Sequence, residues 1–396
     1  MRLSVLDIGS NTVRLAVSDT RDGVPLPVHT AKWKLRLSEH VGAQGQLGEA
    51  ATERLLTAVR AATETAAHWG APEPLAFATT VVREAPDRAE VLRAVRERTG
   101  LSLRVLPGEM EAHLTFLGAR RWMGWSAGPL SVFDIGGGSL EVAFGRGRMP
   151  DFAVSLPLGA NRLTNEFLHV SDPPSAAEIV ALRRRVRHQL RDVAARIRWE
   201  APHTSVATSR TFQQLARLCG AAPGRRGPFA KRVLRRRDLR VAIDRLAALP
   251  AEQRAELPGI TGPRARQSLA GAIVGHTAMK LSGVESLVIC PWAVREGILL
   301  RYLEDGPDWW AEVEHPEAAG RPPESAPPVA ATPPRPDGAA SGGTVSLAPA
   351  PPLARPPSPG QPPSPGQPPS LGQAASLGAA STGHRPLRVA LARAQR

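Results

Sequence analysis

The chain has 396 residues, 39 of them prolines, and more than half of these prolines lie in its last quarter. Its net charge of +14 indicates an anionic partner or substrate, and nucleic acid, an acidic membrane and polyphosphate all meet that condition. Two cysteines, Cys219 and Cys290, are too few for a disulfide framework, and no apolar run approaches the ~18 residues of a membrane span. Composition therefore predicts a soluble, cytoplasmic protein without a membrane segment.

Two segments of the chain are similar to each other. Val5–Val17 reads VLDIGSNTVRLAV and Val132–Phe144 reads VFDIGGGSLEVAF, and the two align without a gap at an offset of 127 residues. Each consists of an apolar strand, an aspartate, a glycine-rich turn and a second strand. A hairpin that occurs twice predicts two halves of one architecture that face each other.

Further helices and strands alternate around the two hairpins. Between them the patterns predict helices over Ala51–Trp69 and Arg88–Arg98, and strands over Pro74–Ala78 and Leu101–Leu106. After the second hairpin they predict strands over Ser205–Ala207 and Ser286–Cys290, and helices over Ala176–Trp199, Thr211–Cys219, Arg264–Leu281 and Ala293–Leu303. This alternation indicates an α/β protein with mixed or parallel sheets covered by helices.

The composition changes at about Gly306. Three near-copies of a hexapeptide, PPSPGQ, PPSPGQ and PPSLGQ, run from Pro356 to Gln373. Such a segment buries too little apolar area to offset the entropy of ordering it, so we expect disorder or polyproline II structure. The predicted domains are therefore residues 1–124, residues 125–305 and a disordered tail over 306–396.

The two glycine-rich turns have the composition of phosphate-binding loops. Glycines leave backbone N–H groups unshielded, and successive N–H groups form a concave site for phosphate oxygens. Serine and asparagine side chains add hydrogen bonds to the same anion. We therefore predict that phosphate binds to Gly9, Ser10, Asn11, Gly136, Gly137, Gly138 and Ser139.

Acidic and basic residues near these turns suggest roles in catalysis. Asp134 and Glu141 suit Mg²⁺, held directly or through its waters. Glu111 lies in the first turn of a predicted helix, where it either caps the helix or takes a proton from water that attacks phosphorus. Arg83 follows a strand end and either clamps a phosphate or forms a surface salt bridge. The spacing leaves both pairs of alternatives open.

The series DIGSNT, ATTVVREA, GEMEAHLTFLG, DIGGGSLEV, SLPLGANRLT and PWAVREGIL, in that order, resembles the exopolyphosphatase / guanosine pentaphosphate phosphatase (Ppx/GppA) family. The resemblance extends from Leu3 to Glu304. It implies two actin-like, ribonuclease-H-like domains of the ASKHA fold with an active site in the cleft between them. It also implies a homodimer and, because no adjacent His-Asp pair occurs, a short form without the C-terminal HD-type domain.

The resemblance also assigns roles to individual residues. It implies Glu111 as the general base, with Asp134, Glu141 and Arg83 as further catalytic residues. The expected cofactor is Mg²⁺ or Mn²⁺, bound by Asp134, Glu141 and Asp7. Two residues depart from the family pattern: Met110 replaces the first glutamate of a usual pair, and Arg210 lies where a Gly-Gly-Thr-like turn is common.

The predicted function is hydrolysis of the terminal phosphoanhydride of inorganic polyphosphate. Hydrolysis of guanosine pentaphosphate (pppGpp) or another nucleotide is an open alternative, as is a catalytically weak sensor of these anions. An ATP-dependent kinase is disfavoured because no acceptor signature occurs. Nucleic acid is not expected as a partner because only 4% of residues are aromatic. The basic stretches Arg183–Arg198 and Arg225–Arg240 are either a route for a polyanion or solvated helix faces.

Overall fold

The computed structural model describes residues 1–35, 37, 41–42, 44–71 and 73–313. Within these ranges the strands are β1 (Arg2–Ile8), β2 (Thr12–Asp19), β3 (Leu26–Lys34), β4 (Leu75–Ala78), β5 (Arg104–Val105), β6 (Leu130–Ile135), β7 (Leu140–Gly145), β8 (Phe152–Leu156), β9 (Thr204–Ala207), β10 (Val233–Arg235) and β11 (Ser286–Ile289). The α-helices are α1 (Gly48–His68), α2 (Thr80–Arg83), α3 (Arg88–Thr99), α4 (Gly108–Met123), α5 (Ala160–Phe167), α6 (Ala176–Glu200), α7 (Ser209–Leu218), α8 (Arg236–Ala248), α9 (Ala251–Arg254), α10 (Gly262–Ala265), α11 (Ser268–Leu281), α12 (Val294–Asp305) and α13 (Asp308–Glu312). None of these helices has the length and apolar character needed to cross a bilayer.

The described strands form two mixed sheets with corresponding strand orders. The first sheet has the order β3-β2-β1-β4-β5 and the second the order β10-β11-β9-β6-β7-β8. In each sheet a three-stranded antiparallel meander is followed by a parallel neighbour, β4 beside β1 and β9 beside β6. The predicted mixed α/β architecture with two related halves is confirmed.

The register of the two hairpins supports the predicted duplication. Asp7 lies opposite Arg14 in the first hairpin, and Asp134 lies opposite Glu141 in the second. These are the residues that the sequence alignment pairs at the offset of 127. The duplication therefore extends from the sequence pattern to the pairing of individual residues.

Helix α4 packs against both sheets. Its Leu114 belongs to an apolar cluster with Val5 and other residues of the first sheet, and its Phe116 to a cluster with Val132 of the second. The opposite face of the first sheet is covered by α1 and α3, and that of the second by α5 to α8 and α11. The shared helix α4 thus connects the two halves through apolar packing.

The crossing of α4 and α12 depends on two glycines. A Cβ atom at Gly297 would lie 1.9 Å from the carbonyl oxygen of Leu114, and one at Gly118 would lie 2.5 Å from the carbonyl oxygen of Ala293. The helices therefore touch through their backbones, and this crossing leaves no space for a side chain at either position.

The predicted elements are present, with differences at their ends. The predicted helix Arg264–Leu281 is divided into α10 and α11, and the predicted strand Leu101–Leu106 is paired only over two residues. The sequence patterns missed β3, β8, β10, α2, α5, α8, α9 and α13. Strand β3 is mostly exposed along its length, so it lacks the apolar alternation that signals a half-buried strand.

The folded part continues beyond Gly306, where the tail was predicted to begin. Helix α13 places Trp309 in the apolar cluster of the first sheet, and Arg104 donates a hydrogen bond to the carbonyl of Val313 at 2.5 Å. The ordered segment extends past Gly306 because the buried Trp309 and Trp310 supply apolar area that offsets the entropy of ordering it. Residues 314–396, which include the hexapeptide repeats, lie outside the described residues, so the tail stays a prediction there.

We predict that Gly297→Ala lowers the free energy of unfolding by about 1–3 kcal/mol, the usual range for overpacking. Alanine by itself favours a helix by roughly 0.5–1 kcal/mol over glycine, so a loss would identify the backbone clash as the stronger effect. Urea unfolding measures the difference. Gly262→Ala in α10 is the control, because no described atom lies within 4 Å of its added Cβ. Equal stability of the two variants would contradict the role of the crossing.

Candidate active site

A cavity of about 170 Å³ lies between the two halves. Its walls come from both hairpin turns, from the first turns of α2, α4, α7 and α12, and from α10. All seven residues predicted to bind phosphate line it, namely Gly9, Ser10, Asn11, Gly136, Gly137, Gly138 and Ser139. The structure therefore brings the two glycine-rich turns together around one space.

The two turns share one backbone geometry. The N–H of Gly9 donates to the carbonyl of Thr12 at 3.1 Å, and the N–H of Gly136 donates to the carbonyl of Ser139 at 2.9 Å. These bonds occupy equivalent positions in the two hairpins. Each turn thus presents its glycine-rich backbone to the cavity in a comparable way.

The turns touch across the boundary between the halves. A Cβ atom at Gly138 would lie 2.4 Å from Cγ2 of Thr80, and one at Gly137 would lie 3.1 Å from Oγ of Ser10. The hydroxyls of Thr80 and Ser139 are hydrogen-bonded at 3.0 Å, and both side chains are buried. Glycine is required here because the opposing half fills the space that a side chain would occupy.

Glu111 projects from the first turn of α4 to the cavity wall. Burial raises the pKa of its carboxyl to about 7, with the nearby guanidinium of Arg83 acting in the opposite direction and the charge of Asp134 adding to the rise. A carboxylate with such a pKa accepts a proton near neutral pH more readily than an exposed glutamate does. The sequence left open whether Glu111 caps the helix or faces the cleft, and its side chain lines the cavity in the cleft.

Arg83 holds Glu111 in place. Its Nη1 atom donates to Oε2 of Glu111 at 3.2 Å and to the carbonyl of Leu106 at 2.7 Å, while Nη2 donates to Oγ1 of Thr80 at 3.1 Å. Arg83 is not among the residues that line the cavity. Its guanidinium therefore contacts Glu111 and Thr80, and the phosphate clamp stays a prediction.

Asp7 and Asp134 lie on the cavity wall at equivalent hairpin positions. Asp134 accepts a hydrogen bond from the hydroxyl of Thr208, yet burial raises its pKa to about 6. Burial also raises the pKa of Asp7, although Arg295 lies with Nε 3.9 Å from its Oδ2 and acts in the opposite direction. Both carboxyl groups thus line the cavity with their charged forms disfavoured by their surroundings.

Glu141 lies behind this wall. Its side chain is almost fully buried, and its Oε1 accepts a hydrogen bond from Oγ of Ser155 at 2.8 Å. Burial raises its pKa well above the ordinary value, and the charges of Glu111 and Asp134 add to the rise. The third predicted metal ligand therefore lies close to the other acids but does not line the cavity.

The acids fit a hydrated divalent cation better than a fully protein-bound one. Within the described ranges no three histidine, cysteine or acidic side chains converge closely enough to hold a metal ion. Mg²⁺ commonly binds one or two carboxylates and keeps several waters and substrate oxygens. Asp7 and Asp134 supply carboxylates of that kind, and a cation beside them would offset the repulsion that Asp7 exerts on Asp134.

Four guanidinium groups also line the cavity. One is that of Arg295 beside Asp7, and the other three, from both halves, are those of Arg14 on β2, Arg210 in the first turn of α7 and Arg264 on α10. The pKa of Arg264 is lowered to about 10, chiefly by burial and also by the charges of Arg14 and Arg210, so these three groups lie close enough to repel one another. Such a cluster favours a ligand with several negative charges.

The two basic stretches predicted as a possible route do not line this cavity. Neither Arg183–Arg198 nor Arg225–Arg240 contributes a residue to the cavity wall. The first lies within α6, and only Gly227, Pro228 and Arg232 of the second line a neighbouring cavity.

Sequence reasoning missed Arg14, Thr80, Arg264 and Arg295 as residues of the site. Two of them lie in motifs that were recognised, since Thr80 is part of ATTVVREA and Arg295 of PWAVREGIL. A second local signal was available, because Ala78-Thr79-Thr80 and Ala207-Thr208-Ser209 end equivalent strands beside the two hairpins.

The chain matches the model of the Ppx/GppA phosphatase family over residues 16–305. It is 66% identical to an uncharacterised protein of Streptomyces coelicolor over 328 residues, which cover 83% of this chain and 98% of that protein. It is 44% identical to exopolyphosphatase 1 of Mycobacterium tuberculosis over 316 residues, 79% of this chain and 92% of that protein. The crystal structure of the Aquifex aeolicus Ppx/GppA phosphatase is similar with a TM-score of 0.61 and 27% identity, covering 76% of this chain and 98% of that one.

The raised pKa of Glu111 predicts a pH-dependent effect of Glu111→Gln on stability. The carboxyl has a pKa of about 7 in the folded protein and of about 4.3 in the unfolded chain, so the folded state binds more protons between these values. Ionised Glu111 therefore destabilises the fold increasingly as the pH rises from about 4.3 to about 7. In metal- and phosphate-free buffer, the melting temperature of Glu111→Gln relative to the parent protein should increase from about pH 5 to about pH 8.

Glu109→Gln is the matched control, because Glu109 lies in the same helical turn and is exposed. Its melting temperature relative to the parent should not follow this pattern. A constant difference for Glu111→Gln across the same pH range would show that the Glu111 carboxyl titrates alike in the folded and unfolded states.

Proposed function

Since the chain belongs to the Ppx/GppA phosphatase family, we propose that its cavity hydrolyses the terminal phosphoanhydride bond of linear inorganic polyphosphate. The products are orthophosphate and a chain shortened by one unit. The relative named exopolyphosphatase 1, at 44% identity, supports this substrate.

One observation carries the proposal. Glu111, a largely buried carboxylate with a raised pKa, lines the same cavity as both glycine-rich turns. Opposed turns of this kind supply backbone donors for a phosphoryl group, and Glu111 supplies a proton acceptor next to it. This is the arrangement that water attack on a bound phosphoryl group requires, because phosphoryl transfer depends chiefly on positioning and on charge stabilisation.

In the proposed reaction the terminal phosphoryl group lies between the turns. Glu111 accepts a proton from water as the water oxygen forms a bond to phosphorus. The bond from that phosphorus to the bridging oxygen breaks in line, and the bridging oxygen leaves with its electron pair on the shortened chain. Arg83 holds Glu111 at the correct angle, and the guanidinium groups of Arg14 and Arg264 stabilise the negative charge of the leaving chain.

We propose Asp7 and Asp134 as the residues that hold a divalent cation, Mg²⁺ or Mn²⁺. When bound, this cation neutralises charge on the phosphate oxygens. Glu141 lies behind the pair, where Ser155 donates a hydrogen bond to it, and its charge would add to the negative potential that the cation neutralises. Hydrolysis of guanosine pentaphosphate, a cytoplasmic location and a homodimer stay predictions from the sequence.

We expect Glu111→Gln to lower kcat for polyphosphate by roughly 10²–10⁴-fold, the usual contribution of a general base. KM should change much less, because the two turns and the guanidinium groups remain. Orthophosphate release under steady-state conditions measures both constants. Glu109→Gln should behave as the parent protein, and full activity of Glu111→Gln would exclude Glu111 as the base.

Orthophosphate release from a panel of substrates tests the proposed reaction itself. The panel contains tripolyphosphate, long-chain polyphosphate, guanosine pentaphosphate and ATP, each with Mg²⁺, with Mn²⁺ and with EDTA. We expect metal-dependent release from polyphosphate that EDTA abolishes. A folded protein that releases orthophosphate from none of them would instead support an anion sensor, and faster release from guanosine pentaphosphate would reassign the substrate.

A further inference from the structure

A second cavity of about 500 Å³ adjoins the proposed active site. Among the residues that line the two cavities, Arg210 alone is common to both. The second cavity lies along helix α7, and its far wall is formed by a loop that contains Pro223 and Pro228. Its volume is within the range of small-molecule sites, which is roughly 300–1,000 Å³.

The lining of this cavity is basic. Three arginines, Arg210, Arg217 and Arg232, contribute to it, and the described lining residues include no aspartate or glutamate. Basic side chains without acidic partners favour an anionic ligand.

The three arginines differ in how much of their hydrogen-bonding capacity the protein uses. Arg232 donates to four backbone carbonyls, those of Ala222, Pro223, Gly227 and Ala230, and so maintains the loop. Arg217 donates one bond to the carbonyl of Ala221 at 3.1 Å, and Arg210 donates one to Oε1 of Gln213 at 3.3 Å. A guanidinium has five N–H donors, so Arg210 and Arg217 retain donors for a ligand.

The positions of these residues on α7 form a continuous stripe. Arg210, Gln213 and Arg217 are spaced by three and four residues, which places them on one face of the helix, and all three line the cavity. Arg210 also belongs to the guanidinium cluster of the first cavity with Arg14 and Arg264. Positive charge therefore extends from the proposed active site past Arg210 to Arg217.

We propose that the second cavity is a subsite for the inner phosphates of a polyphosphate chain whose terminal phosphate lies in the first cavity. Arg210 guides the chain between the two cavities, and Arg217 binds phosphates beyond it. The proposal rests on the proposed function and extends it to a preference for longer chains. A nucleoside fits the lining less well, because its apolar members are aliphatic, such as Ile289 and Pro291, and no described lining residue offers an aromatic ring for a base.

The test compares long-chain polyphosphate with tripolyphosphate in orthophosphate release by the parent protein, Arg217→Gln and Arg210→Gln. Tripolyphosphate has too few units to occupy both cavities fully. We expect KM for the long chain to rise about tenfold more than KM for tripolyphosphate in Arg217→Gln, with kcat for both nearly constant. Arg210→Gln should raise both KM values, because Arg210 lines both cavities. Arg185→Gln on α6 removes the same charge from an exposed position and should leave the ratio of the two KM values unchanged.

Two results would overturn the subsite: equal changes of KM for the two chains in Arg217→Gln, or no change of KM for the long chain. Thermal unfolding of Arg217→Gln identifies any loss caused by the lost bond to Ala221. In that case Gln213→Glu, which adds a negative charge to the same stripe, provides the same comparison. It should also raise KM for the long chain more than KM for tripolyphosphate. If the parent protein releases no orthophosphate from either chain, the proposed function fails, and equilibrium binding of the two chains to the same variants decides on the subsite.

Discussion

The crossing of α4 and α12 is the constraint on which the rest of the site depends. At Gly297 and Gly118 the two helix backbones are in direct contact, so their relative position has little freedom. Helix α4 begins with the turn that carries Glu111, and α12 begins with the turn that carries Arg295. Both first turns reach the same cavity. The crossing therefore fixes the position of Glu111, the proposed proton acceptor, relative to the guanidinium of Arg295, which lies beside Asp7.

The same arrangement brings four carboxyl groups close together in buried positions, where their charged forms are disfavoured. Burial raises the pKa of Asp7, Glu111, Asp134 and Glu141, and the carboxylates among them add to one another's shifts. The folded protein is therefore less stable at neutral pH than it would be with neutral side chains at these positions. A bound cation and phosphate would offset this repulsion, and any ligand that binds only the folded state stabilises it. The conflict between stability and charge is thus located where the chemistry is proposed.

How much could be predicted depended on whether the signal was local. Each glycine-rich turn with its aspartate is a local pattern, and its repetition predicted both hairpins and the residues around the cavity. The contact between Thr80 and Ser139 was missed because these residues are 59 positions apart and meet only when the halves pack. The role of Arg83 was open for the same reason, since its partner Glu111 comes from a different helix. Trp309 was assigned to the tail because the sequence around it does not reveal that it packs on the apolar cluster of the first sheet.

The two halves share a backbone arrangement but differ in charge at equivalent positions. In the first hairpin the residue opposite the aspartate is Arg14, whereas in the second the equivalent residue is Glu141. Arg14 lines the cavity, whereas Glu141 is buried behind its wall, so the two hairpins present different side chains to a bound anion. Arg14 extends this asymmetry towards Arg264 and Arg210, on the side that leads into the second cavity. A chain of phosphates would then have one favoured orientation, with its reacting end beside Glu111 and its remaining charge along the arginines. The duplication supplies the two turns, and residues outside it, Glu111, Arg210 and Arg264, would supply the direction.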